Sequence, residues 1–307
     1  MKIVVMGAAF VDIKGFPSGN YVPDGRNVGR IEYVHGGVAR NIVEDIANVE
    51  LRPIYLGIVD DSPLGADVLR KLQNHKVNTD YVRTMPDGLG TWLAVFDNRG
   101  DVAGSISKRP DMSSLLDVLQ ERGEEIFSQA KSVVLEVDLD KDTIKKTLEL
   151  AKLYGCKVFG AVSNMSLAAE RRDFLRHFDC FICNIQEAGL LFLDDYSGCD
   201  PDAMAAILRD KVRSAGIPSM VVTMGAQGAV YADREGNFGK CAARNVQVKD
   251  TTGAGDAFCA GVSIGLTYGK TLPEAIDIGS TLAASVITSS ENVCPRFLPE
   301  EFGLTVE

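Results

Sequence analysis

The chain of 307 residues has one tryptophan, three histidines and no apolar run near the ~18 residues of a membrane span. Its opening, MKIVVMGAAFVDI, carries one lysine and a short apolar stretch before Asp12, and lacks the longer apolar segment and small-residue cleavage site of a secretory signal. Basic residues number 32 against 42 acidic ones, and the net charge of -10 argues against an extended footprint on a nucleic-acid polymer, which is basic. A small anion can still be held in a locally positive pocket. The seven cysteines are scattered and odd in number, so reduced thiols in a cytoplasmic protein are expected. Cys180 and Cys183 form a CxxC within FDCFICN, but residues three apart on a strand face opposite sides, and no second Cys pair lies close in sequence. That favours buried thiols over a zinc or redox site. A GxxxxGK[ST] phosphate loop is also missing, as are internal repeats, low-complexity tracts and a linker that would divide the chain.

What is present is ordinary globular composition, 46% hydrophobic and 24% charged, in one strand–helix alternation. KIVVMG, RPIYLGIV, SVVLEV, KVFGAV, CFICN and SMVVT read as buried strands. ARNIVEDIANV, SPLGADVLRKLQNH, KDTIKKTLELAKLYG, SLAAERRDFLRHF, QEAGLLFL and DAMAAILRDKVRSAG read as helices between them. Such pairs predict a layered α/β fold with a mostly parallel sheet, as a single domain over residues 1–307. Two segments break the rhythm. Residues 13–35 are rich in glycine and polar groups and end in a short alternating strand. Residues 88–108 read as a hairpin turning at Asp97-Asn98-Arg99-Gly100. With no helix partners, they are expected to form a small separate sheet, a lid over a cleft.

The segment Asp250–Phe258, DTTGAGDAF, sits before a run of small and apolar residues suited to a buried helix. Gly253, Ala254 and Gly255 would then lie at a helix N-terminus, where backbone N–H groups lack internal partners and the dipole favours an anion. Asp256 is either an acid that favours that dipole or a base beside a bound phosphoryl group, accepting a proton from an attacking alcohol. Spacing alone leaves both readings open.

The whole string resembles a signature of the ribokinase-like, or PfkB, carbohydrate and nucleoside kinases. HGGVARN (35–41), CNIQE (183–187) and VTMGAQG (222–228) resemble other motifs of that family, in its order, and the resemblance spans roughly residues 1–295. It implies a ribokinase-like three-layer α/β/α domain with a β-sheet lid, ATP as phosphoryl donor and Mg²⁺ as cofactor. It further implies Asp256 as catalytic base, with the amides of Gly253, Ala254, Gly255 and Asp256 as an anion hole. Asn184 and Glu187 would organise Mg²⁺, in part through water, although NxxE alone is also a helix start. Thr223, Gly225 and Gly228 resemble the nucleotide loop. Asp12, Gly36, Gly37 and Asn41 resemble the groups that hold the sugar, with Thr91 and Trp92 of the lid as candidates facing its C1. Oxygen groups near Asp250, Thr252 and residues 288–294 resemble a K⁺ site.

GAVSNMS departs from the acidic residue and proline that many relatives carry there. Val38 replaces a lysine common after the Gly-Gly pair in sugar kinases. The GGVARN form, YVPDGRNVGRIEY and the 88–108 hairpin resemble the pseudouridine-kinase branch. The implied reaction is transfer from ATP to the 5′-hydroxymethyl of a ribose-like acceptor, with pseudouridine leading. A free-sugar kinase, another nucleoside kinase and a catalytically silent sugar- or nucleotide-binding regulator are the alternatives. Arg40, Lys108 and Arg109 can bring positive charge to the cleft, the last two being expected on the solvated surface. A homodimer through the lid is the expected assembly.

Overall fold

The computed structural model describes residues 2–306, with Leu167 described by its backbone alone. β1 (Lys2–Met6), β2 (Phe10–Pro17), β3 (Gly29–Gly36), α1 (Val38–Asn48), β4 (Ile54–Leu56), β5 (Ile58–Val59) and α2 (Pro63–Asn74) come first. β6 (Arg83–Thr84), β7 (Gly90–Phe96), β8 (Val102–Lys108), α3 (Leu115–Ser128), β9 (Ala130–Glu136), α4 (Lys141–Tyr154) and β10 (Lys157–Ala161) follow. The chain continues through α5 (Met165–Ala169), β11 (Cys180–Asn184), α6 (Ile185–Phe192), α7 (Pro201–Ala215), β12 (Ser219–Thr223), β13 (Ala229–Asp233), β14 (Phe238–Cys241), α8 (Ala254–Thr267) and α9 (Leu272–Ile287).

Eight strands form the main sheet in the order β14-β13-β12-β11-β10-β9-β1-β4, parallel except for the pairings of β13 and β14. Residues alternate between two cores. Val4 and Met6 of β1 pack with α3, α4, α6 and α7, whereas Ile3 and Val5 pack with α1, α2, α8 and α9. Each strand is therefore apolar on both faces, which is why it reads as a continuous apolar run. Cys180 and Cys183 fall in opposite cores as free thiols, and burial pushes both upward, Cys180 to about 12. β1 has β4 on one side and β9 on the other, so the connections diverge there. Ligand groups gather at the carboxyl ends of strands flanking such a switch. Among the described residues, no helix is long and apolar enough to cross a membrane.

A second sheet, β3-β2-β7-β8, joins both irregular segments into one unit. Its strands start earlier than expected, since β2 begins at Phe10 and pairs antiparallel with β3 along its whole length. Across β2, β7 and β8, Asp12 pairs with Trp92 and Trp92 with Ser107, so these side chains share one face. The opposite face carries Ile31, Tyr33, Leu93, Val95 and Ile106, all between 36% and 70% exposed. Thr91 pairs with Val11 and lies on this second face, opposite Asp12 and Trp92, which corrects its expected position.

Two other expectations change. RPIYLGIV is not one strand. The ring of Tyr55 fills the space a Cβ on Gly57 would take, 2.2 Å away, and the chain leaves the main sheet there to pair β5 with β6. SLAAERRDFLRHF is not one helix either. It stops after Ala169 and resumes as a 3₁₀ turn over Arg172–His177, with Arg171 at the break donating to the Leu139 carbonyl at 3.2 Å.

Candidate active site

α8 begins without a side-chain cap. Its N-cap, Gly253, has φ 80°, and a Cβ there would stand 2.0 Å from the Asn292 carbonyl oxygen, so both backbone and space require glycine. Gly255 is different. A Cβ on it would meet nothing within 4 Å, which leaves the approach to its amide open from a cavity. The Ala254 amide donates to the Thr251 carbonyl at 3.2 Å and closes the turn, so it is removed from the expected set of four anion donors. Gly255 and Asp256 occupy the first turn, where amides have no acceptor within the helix.

Asp256 is the third residue of that turn and keeps part of its surface open. It borders a cavity of about 210 Å³ shared with Asn184, Glu187, Thr223 and Gly255, and a second of about 450 Å³ shared with Asp12, Gly37, Asn41, Trp92 and Arg109. Burial pushes its carboxyl up to about 7, with Glu187 adding to the rise; a hydrogen bond from Asn41 and the charge of Arg40 pull it back. Such a group is poised to gain or lose a proton near neutrality.

The opposing wall is built by α1. Asn41 Nδ2 donates to Asp256 Oδ2 at 2.7 Å. The amide is held that way round because Asn41 Oδ1 accepts from Arg40, a fully buried guanidinium that also pairs with Glu44 at 2.6 Å. Arg40 thus stands behind the wall rather than in the cleft. Gly37 caps α1 with φ 97°, and a Cβ on it would meet the Ala8 carbonyl at 2.6 Å. Gly36 leaves room for Asp12, whose carboxyl is raised by burial and lowered by Lys14 and Arg40.

Glu136, at the end of β9, was not visible as a site residue in the sequence. Its two oxygens accept from the amides of Ala8 (3.1 Å) and Ala39 (2.8 Å), so it fastens the first turn of α1 to the loop after β1. Burial pushes this carboxyl up, and the two amides counter that. Its place at the carboxyl end of a central strand was the available signal. Arg109 keeps the exposure the sequence suggested, with 38% of its side chain open to solvent. It lines the larger cavity and pairs with the buried Asp138, whereas Lys108 pairs with the exposed Asp87.

Asn184 and Glu187 form a capping box on α6. The Asn184 side chain accepts from the Glu187 amide at 2.9 Å, and Glu187 Oε2 accepts from the Asn184 amide at 2.8 Å. They are a helix start and also part of the cavity wall. Burial raises the Glu187 carboxyl, and Oε1 has no donor among the described residues. Thr223 reaches the smaller cavity, while Gly225 and Gly228 lie in the turn beyond it and do not line it. Asp250 and Thr252 form a local turn in which the Thr252 amide and hydroxyl donate to Asp250 Oδ1 at 2.9 and 2.8 Å.

A carboxylate near neutral pKa, open helix amides and a hard-oxygen acid around adjoining cavities suit phosphoryl transfer to an alcohol. The family model described as pfkB family carbohydrate kinase matches residues 1–294, and the chain belongs to that family. It is an ATP-dependent phosphotransferase with a ribokinase-like fold. The guanosine-inosine kinase of Exiguobacterium acetylicum is 34% identical over 95% of this chain and 96% of the relative. The pseudouridine kinase of Escherichia coli is 26% identical over 89% and 86%. The structure of Arabidopsis thaliana ribokinase complexed with ribose and ATP superposes with a TM-score of 0.82 at 19% identity, covering 98% of this chain and 97% of that one.

Proposed function

We propose that the chain phosphorylates the 5′-hydroxyl of a ribonucleoside, with Asp256 as the base. The observation that carries this reading is the place of Asp256, on the border of both cavities and bonded to Asn41 at 2.7 Å. The acceptor's ribose hydroxyls bond Asp12 and Asn41 and lie against Gly36 and Gly37. The 5′-hydroxyl gives its proton to Asp256 as its oxygen attacks the γ-phosphorus of ATP, and ADP leaves. The amides of Gly253, Gly255 and Asp256 receive the charge on the transferring group. Thr223 and the turn with Gly225 and Gly228 hold the nucleotide.

Asn184 and Glu187 would hold Mg²⁺, which supplies charge neutralisation across the phosphates. The unengaged Glu187 oxygen fits this role. Among the described residues no group of three or more His, Cys, Asp or Glu is placed to hold a metal, so water and phosphate oxygens complete the shell. K⁺ beside Asp250, Thr252 and the 288–294 segment belongs to the same reading; equal rates in potassium and in a bulky organic cation remove it.

A nucleoside is favoured over a free sugar because the larger cavity, about 450 Å³, continues past Asp12 to Trp92 and Ser107. Guanosine, inosine and pseudouridine are the first acceptors to test, the last also favoured by the GGVARN form. ATP-dependent phosphorylation across these three, adenosine and ribose is the deciding experiment. A nucleoside 5′-monophosphate is expected; product from ribose alone makes the chain a sugar kinase, and no product at all leaves a silent binder. The smaller sheet acts as a lid, and its exposed apolar face is the proposed seat of a homodimer. Light scattering at micromolar concentration tests this, with Val95→Glu expected to give monomers.

A further inference from the structure

We infer that Arg109 selects the nucleobase by donating to the O6 and N7 acceptors of a 6-oxopurine, which makes guanosine and inosine the preferred acceptors over adenosine. This rests on the nucleoside reading above.

The argument begins with strand register. Asp12, Trp92 and Ser107 stand side by side on β2, β7 and β8 and face the same cavity. Arg109 follows β8 directly and keeps the phase of Ser107, two residues on, so it faces the same way. β8 lies two strand spacings from β2, roughly 10 Å. Hydroxyl-binding Asp12 at one edge and Arg109 at the other are therefore separated by about the reach of a nucleoside, with the Trp92 ring between them.

The guanidinium, on a side chain 38% open to solvent, is tied at one edge and free at the other. Its Nη2 pairs with Asp138, whose side chain is 1% exposed and whose Oδ1 is buried without a partner. That charge fixes one edge of the fork. Of the five N–H donors on an arginine, the Asp138 contact uses one, and no other acceptor for this guanidinium is found among the described residues. An arginine fork matches adjacent O6 and N7 acceptors of an oxopurine. Adenine presents an amino donor where O6 would be, which sets donor against donor and leaves a desolvated N–H unpaired.

The test compares inosine with purine riboside, the same nucleoside without O6, in the parent and in Arg109→Met. A bidentate pair of this type predicts that the parent prefers inosine by ~10–100-fold in kcat/KM. Arg109→Met should bring that ratio within about threefold, with most of the loss falling on inosine, because purine riboside offers the fork N7 alone. A parent ratio near one overturns the inference without any variant. It is also overturned if Arg109→Met keeps the preference, or slows both nucleosides alike, as loss of a mere tie between β8 and β9 would do. In these cases the nucleoside reading stands as long as a nucleoside is phosphorylated. A parent that phosphorylates none removes both.

Discussion

α1 and α8 meet at the same cavity, and both start at a glycine in the left-handed region without a side-chain cap. The helices α2, α4, α6 and α7 instead take Ser62, Asp140, Asn184 and Asp200 as caps. The two bare ends differ in what fills them. The Ala39 amide of α1 is taken by Glu136, an anion supplied by the protein itself. Among the described residues no such carboxylate meets the first turn of α8, and a cavity lies over Gly255. A glycine-led helix start in a sequence is thus ambiguous. Only the long-range partner decides whether it is a joint or a receptor for a ligand anion.

The largest change should come from altering the open end. Asp256→Asn keeps shape and removes the base, so turnover should fall ~10²–10⁴-fold while thermal unfolding and ATP binding stay near those of the parent. Turnover within a few-fold of the parent would make Asp256 a helix acid only. Glu187→Gln, on the far wall of the same cavity, should raise the Mg²⁺ concentration for half-maximal rate by roughly tenfold; an unchanged titration removes Glu187 from metal binding.

Emptying the filled end tests the other half of the comparison. Glu136→Ala leaves the Ala8 and Ala39 amides buried without an acceptor, at a cost of about 1–3 kcal/mol for each. Denaturant unfolding should show that loss, and Glu136→Gln, which keeps one acceptor oxygen, should show less. Equal stability in all three would mean the end of α1 needs no partner.

The smallest effect is the most diagnostic in sign. A general base must be ionised, so kcat/KM should fall as pH drops through the Asp256 value of about 7. Glu187 raises that value and Asn41 lowers it. Glu187→Gln should therefore shift the acid limb to lower pH, and Asn41→Leu to higher pH, whatever each does to the maximum rate. Shifts in the same direction would disconnect the limb from Asp256.

The layered fold was legible because each central strand is apolar on both faces and each helix keeps its period. The start of α8 was legible because glycine spacing and the following acid are local. β2 was not read as a strand of its own, only as part of the irregular 13–35 segment. FVDIKGFP mixes charge, glycine and proline, since one face meets a polar cavity and the other is only partly covered beyond Val11. Thr91 and Trp92 could not be separated, because strand phase is set by pairing with Val11 and Asp12, eighty residues away. Glu136 and Asp138 look like ordinary acids at a strand end. Only folding brings the first to the Ala8 and Ala39 amides and the second to Arg109. The engagement of the Ala254 amide was also hidden, since sequence gives glycine positions and not the turn's internal hydrogen bonds.

The two faces of β7 set a rule for how this chain can drift in length. Trp92 looks into the cavity, and Leu93 and Val95 look away from it. Inserting or deleting one residue early in that strand would exchange the faces of everything after it. The cavity would gain leucine and valine where it has the indole, and the outer surface would receive the tryptophan, both in a single event. Point substitutions on β7 can retune either face independently, but indels there cannot. Variation in length should therefore collect in the Asp97–Gly100 turn, where an extra residue changes neither face.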